Sequence, residues 1–180
     1  MAEKVRQIAE MIEVNMVQSD AGRYLDFWRM MSNPENMEII GDEFQRKINK
    51  GNYDITAAID EEGLVLSTII GRIIGVGMCN AYSRYIPDSV FAYDILPKGG
   101  VKDKNVLLTS GEITDCYKHI QGANRIISNG GKPKAIATLI DYDKRFEVFR
   151  GEKTAKEHIS KYLKKDIDVI PFAKESDLEL

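Results

Sequence analysis

Apolar positions fall into two regimes along this chain. From Ala2 to Val17 they recur at helical spacing, with Val5, Ile8, Met11 and Ile12 along one side, and predict an amphipathic first helix. Ser19-Asp20-Ala21-Gly22 breaks it, and Arg23 to Met31 is short, aromatic and without a clear period. Asn33-Pro34 is a helix start, because Asn caps through its side chain and Pro suits a first helical position that needs no N–H. Met37, Ile40, Phe44 and Ile48 then step by three and four, predicting a second helix to about Lys50, closed by Gly51-Asn52.

From Asp54 onward the pattern changes. Compact apolar runs at Asp54–Ile59, Gly75–Asn80, Val106–Thr109, Pro133–Ile140 and Ile167–Phe172 predict strands, the first of them buried. Between them, helices are expected over Leu64–Ile74, over the segment carrying Ile120, Ala123, Ile126 and Ile127 up to Asn129-Gly130-Gly131, and over Glu152–Leu163. Asp60-Glu61-Glu62-Gly63 reads as a turn. Tyr82 to Lys104, with Pro87, Pro97 and Gly99-Gly100, reads as a long surface loop with room for a short hairpin around Val90 to Tyr93. Lys174 to Leu180 reads as a polar, frayed tail.

Strands alternating with helices specify an α/β fold with a central, mostly parallel sheet flanked by helices and right-handed crossovers. The expected organisation is a single domain over 1–180. It comprises an N-terminal helical region at 1–53, a parallel core at 54–173 and the tail at 174–180. Ligands in such folds bind at the carboxyl ends of the strands. That directs attention to Asp60–Gly63, Tyr82–Lys104, Thr109–Lys118 and Asp141–Phe149.

Charge and cysteine content narrow the function classes. With 43% hydrophobic and 29% charged residues the chain folds. A net charge of −3 argues against binding nucleic acid through its phosphates. The longest apolar-rich stretch, Gly63 to Met78, is broken by Ser67, Thr68, Gly71, Arg72, Gly75 and Gly77 and is too short to span a membrane. The first residues have no signal core, so the reading is cytoplasmic. Cys79 and Cys116 are too few for a disulfide framework or a four-thiolate zinc site, in keeping with a reducing compartment.

The order of several segments resembles the type I phosphoribosyltransferases, most closely the orotate phosphoribosyltransferases. Tyr24-Leu25-Asp26, Ser32-Asn33-Pro34-Glu35 and Ile40-Gly41 look like that family's stretch before its first parallel strand. Ala58-Ile59-Asp60-Glu61-Glu62-Gly63 sits where the family has its pyrophosphate loop. Val106-Leu107-Leu108 begins what looks like the phosphoribosyl-pyrophosphate (PRPP) motif, and Ala135 to Asp141 resembles the following strand. The resemblance covers roughly 3–172. It implies a homodimer, a role in nucleotide metabolism, and a small phosphorylated ligand or nucleotide.

The departures from that motif bear on activity. The family's motif is a strand, two acidic residues, a short apolar link and a Thr-Thr-Gly-Gly-Ser/Thr loop. Here the acidic pair falls on Ser110 and Gly111, and the loop falls on Thr114-Asp115-Cys116-Tyr117-Lys118. Backbone N–H groups hold a phosphate best where small residues allow close approach, so Cys116 and Tyr117 fill the cradle and Asp115 opposes a dianion. Glu61 and Glu62 would likewise repel pyrophosphate, while Asp60-Glu61-Glu62 is either a cation site or a solvated turn. Thr114 and Lys118 remain the candidates for a weak anion site. The long loop offers Arg84 and Tyr85, with Tyr82 and Tyr93, as an aromatic-basic lid. Phe27 and Trp28 either border a base pocket or anchor the core or an interface, Cys79 is a core residue, and Cys116 near His119 is a fortuitous pair. No metal site and no firm cofactor follow.

The leading expectation is a phosphoribosyltransferase-like protein that has lost PRPP-dependent transfer and acts as a ligand-binding or regulatory protein. The alternative is an active, divergent transferase using Mg²⁺, in which Glu112 and Asp115 replace the lost carboxylates. A third is a structural subunit whose working surface is its dimer face.

Overall fold

A computed structural model describes residues 2–19, 22–81, 100–114, 116–143 and 154–178. Asp115, the proposed lid residues Arg84 and Tyr85 with the suggested hairpin at Val90–Tyr93, and the segment after Asp143 lie outside them.

The chain opens with helix α1 (Ala2–Val14) and an antiparallel hairpin, β1 (Met16–Ser19) with β2 (Gly22–Leu25). The first helix is therefore shorter than its apolar pattern predicts, and the N-terminal region is not wholly helical. Helices α2 (Phe27–Met31) and α3 (Pro34–Lys47) follow. Asn33 caps α3 by accepting from the Glu35 N–H, with Pro34 at the first helical position, as the sequence signal requires. The helix stops at Lys47, whose ammonium donates to the Pro171 and Phe172 carbonyls at 2.7 and 3.1 Å and ties α3 to the last strand.

The core alternates β3 (Ile55–Ala58), α4 (Glu61–Ile74), β4 (Gly77–Asn80), β5 (Asn105–Ile113), α5 (Tyr117–Ser128), β6 (Lys132–Asp141), α6 (Ala155–Leu163) and β7 (Asp168–Lys174). The five strands form one sheet in the order β4-β3-β5-β6-β7, and every pairing is parallel. Successive residues of the central strand face opposite layers. Leu107 packs with Ile40, Phe44, Leu66 and Ile70 on the side of α1 to α4. Val106 and Leu108 pack with Ile120, Ile126 and Ile159 on the side of α5 and α6. Burial on both faces is the reason the central strands β3, β5 and β6 read as apolar runs, whereas the edge strands β4 and β7 stay partly exposed, with Met78 of β4 exposed.

Three further expectations are corrected. Asp60–Gly63 is not a free turn: Asp60 caps α4, and Glu61, Glu62 and Gly63 form its first turn. Strand β5 does not end at Thr109 but continues to Ile113, held by pairing of Ser110 with Thr138 and of Glu112 with Ile140. The tail is ordered through Leu178, which is buried, and Ser176 bonds through both its N–H and its hydroxyl to Asp143. Among the described residues no helix is long and apolar enough to cross a membrane.

Candidate functional site at the carboxyl edge of the sheet

Strand order fixes where a ligand crevice forms. The chain leaves β3 through α4 to β4 on one side, then returns to place β5 on the other side of β3. The carboxyl ends of β3 and β5 are thus the point where the direction of winding reverses, and loops diverge there. Asp60 follows β3, and Ser110, Gly111 and Glu112 close β5.

These elements are in unusually close contact. A Cβ at Gly63 would lie 2.2 Å from the Thr109 carbonyl oxygen, and a Cβ at Gly111 would lie 2.6 Å from Glu62 Cβ. Glycine at both positions is what lets the start of α4 rest on β5. The contact is fastened by Thr109, whose hydroxyl donates to the Gly63 carbonyl at 2.7 Å.

At the centre sits the Asp60 carboxylate. One oxygen accepts from the Gly63 and Gly111 N–H groups at 2.6 and 3.1 Å. The other accepts from the Ser110 hydroxyl at 2.7 Å and from the Lys118 ammonium at 2.8 Å. Burial alone would raise the Asp60 pKa, but the Lys118 charge and the bonds from Lys118, Ser110 and Gly63 outweigh it and hold the carboxyl below its ordinary value. His119 Nε2 lies 3.0 Å from Ser110 Oγ, and both residues are fully buried. An ionised carboxylate only accepts, so Ser110 donates to Asp60 and His119 directs an Nε2–H to Ser110. A serine between histidine and carboxylate has its proton on the wrong partner for nucleophilic attack, so this is a structural relay, not a catalytic triad.

The structure thus brings together Asp60, Gly63, Ser110, Gly111 and Lys118. Lys118, the expected anion ligand, carries its counter-ion within the chain, while Thr114 is half-buried at the end of β5. Cys116 is buried at the start of α5, with φ of 61°. Its neighbour His119 is turned to Ser110.

A cleft of about 400 Å³ opens beside this network. Its walls are the segment from Tyr24 to Trp28, Glu62, Gly111, Glu112 and Lys118. Phe27 is buried and meets the Trp28 ring edge to face, with centroids 5.1 Å apart, whereas Trp28 and Tyr24 stay exposed. Trp28 therefore borders a cleft, as one of its two readings allows, and Phe27 is a core anchor. Sequence reasoning missed Asp60 as the hub and missed the His119–Ser110 contact. An Asp before two Glu is a helix-start signal that points to the first. The second joins residues on different elements and leaves no local trace.

No protein-family profile matches the chain. It is 25% identical over 119 residues to the adenine phosphoribosyltransferase of Nitrosopumilus maritimus strain SCM1, covering 66% of this chain and 68% of that one. Among solved structures, the adenine phosphoribosyltransferase of Thermoanaerobacter pseudethanolicus superposes with a TM-score of 0.71 at 14% identity, over 94% of this chain and 99% of that one. The orotate phosphoribosyltransferase of Aeropyrum pernix gives 0.70 at 14%, over 98% and 94%. A phosphoribosyltransferase of Corynebacterium diphtheriae gives 0.69 at 18%, over 99% of both. Together with the parallel sheet and the crevice at its point of reversal, these likenesses show that the chain has the fold of the type I phosphoribosyltransferases.

Proposed function

We propose that this protein does not transfer ribose phosphate from PRPP and instead uses the carboxyl-edge cleft to bind a ligand, in a regulatory or interaction role within nucleotide metabolism. One observation carries the reading: the two positions that the resemblance assigns to the acidic pair. Ser110 is buried and committed to Asp60 and His119, and Gly111 has no room for a side chain. Neither can hold ribose hydroxyls. Each lost transition-state contact costs on the order of 2–4 kcal/mol, so losing several removes most of the rate. The test is incubation with PRPP, Mg²⁺ and orotate, uracil or purines while pyrophosphate is followed. No release is expected, and release that requires both base and Mg²⁺ would overturn the reading.

Glu112 favours a second reading, because it lines the cleft and is one of the two carboxylates an active, divergent transferase would use. Among the described residues no three Asp, Glu, His or Cys side chains converge as a metal-ligand set. In this reading Mg²⁺ is held chiefly by substrate phosphates, as that ion prefers. Ribose phosphate bound between Thr109 and Lys118 would support it.

A further inference from the structure

The end of the chain is strapped to the carboxyl edge of the sheet. After β7, Glu175 to Asp177 form a turn of 3-10 helix, and Leu178 beyond it is buried in the same core as Tyr142 and Phe172. The turn is clasped to the residues after β6. One Asp143 oxygen accepts from the Ser176 N–H at 3.0 Å, and the other accepts from the Ser176 hydroxyl at 2.6 Å. Lys47 of α3 faces Asp177 and Lys174 from the neighbouring layer.

Asp141 lies in the same place. It pairs in register with Ile113 of β5 and with Lys174 of β7, and its Oδ1 is buried without a hydrogen-bond partner among the described residues. The charged groups that face it are Asp143 from after β6, Lys174 at the end of β7 and Glu175 in the strap. Burial first, then Asp143, pushes its pKa up to about 6. Lifting the strap carries Glu175 away and lets water reach the carboxyl, which favours the ionised form. By linkage, ionising Asp141 favours the lifted strap.

We propose that the segment from Glu175 to Leu178 is a pH-sensitive strap, clasped by Ser176 to Asp143 and closed while Asp141 is protonated, which lifts more often once Asp141 ionises beside Asp143 and Glu175. The inference goes beyond the reading of the cleft as a ligand site and needs no ligand.

Amide exchange in the intact protein tests it, measured by NMR at pH 5 and pH 7, with each rate divided by that of the unfolded peptide at the same pH. The Ser176 and Leu178 N–H groups report on the strap, and those of Leu107 and Leu108 in β5 report on the core. A strap that lifts by itself exchanges faster than the core at both pH values. Its opening should rise about tenfold from pH 5 to pH 7, the change produced when a carboxyl moves between about 6 closed and about 4 open. Asp141→Asn should cut that rise to less than about twofold. Ser176→Ala removes one bond of the clasp and keeps Asp141, so it should speed exchange at Leu178 at both pH values and preserve the rise. Strap amides that exchange no faster than the core overturn the inference, as does a parent protein without the rise or a rise that Asp141→Asn leaves intact. Unchanged exchange at Leu178 in Ser176→Ala overturns the clasp. The parent and Ser176→Ala measurements need no change at Asp141, and none of them depends on the outcome of the pyrophosphate assay.

Discussion

Cys116 holds a left-handed backbone that costs a residue with a Cβ about 1 kcal/mol, yet its side chain is buried at the start of α5. Glycine there loses a small buried side chain but relieves the strain. Cys116→Gly should therefore be as stable as Cys116→Ala to within about 0.5 kcal/mol, whereas glycine is ordinarily the worse choice by about 1 kcal/mol. Urea midpoints of the two variants measure this.

A second residue sets a pH dependence. Asp141, at the carboxyl end of β6, is 4% exposed, and one of its oxygens has no hydrogen-bond partner among the described residues. Burial, with the Asp143 and Glu175 charges opposed by Lys174, pushes its pKa up to about 6. The folded protein then keeps a proton that the unfolded chain releases near pH 4, so this group makes stability fall as pH rises from about 4 to 6. Above that window the penalty is complete and on the order of 3 kcal/mol. Asp141→Asn should raise the melting temperature at pH 7 and flatten the profile between pH 4 and 6. Asp60 acts in the opposite sense. Its pKa is depressed, so its contribution is full above the ordinary carboxylate range and is lost as pH falls through its lowered value.

Between elements, the Lys118–Asp60 pair joins the first turn of α5 to the cap of α4. Lys118 is more than a third exposed, so Lys118→Met should cost only about 1–2 kcal/mol. Asp60→Ala removes the cap and strands the Gly63 and Gly111 N–H groups and the Ser110 hydroxyl, and should cost about 2–4 kcal/mol. Chemical denaturation of both variants tests the order, and a larger loss from Lys118→Met would refute Asp60 as the hub. Elements set by adjacent residues were legible in the sequence: Asn33-Pro34 starts α3 where its chemistry says it should, and the doubly buried strands show as apolar runs. Elements set by distant partners were not. Hairpin β1–β2 consists of two four-residue strands defined by pairing with each other. Strand β5 continues through Ser110 and Gly111, both weak strand formers, because β6 pairs alongside. Of the candidate site, Asp60, Gly63, Ser110, Gly111 and Lys118 were all singled out in advance, but in two separate segments, and their arrangement around the Asp60 carboxylate depends on contacts across about 50 positions of chain, which no periodicity records.

For the molecule as a whole, the resemblance implies a two-fold homodimer, the commonest closed assembly. Sedimentation at micromolar concentration should give twice the 20.3 kDa chain mass, and a monomer under those conditions would refute it. The contact of Gly111 with Glu62 reaches furthest, because it couples two positions far apart in the chain. A side chain at 111 places its Cβ 2.6 Å from Glu62 Cβ. Trimming Glu62 to alanine leaves that same atom in place, whereas glycine at 62 removes it. Gly111→Ala should therefore cost less stability in a Glu62→Gly background than in the parent chain, so that two carbon atoms make the substitutions interdependent.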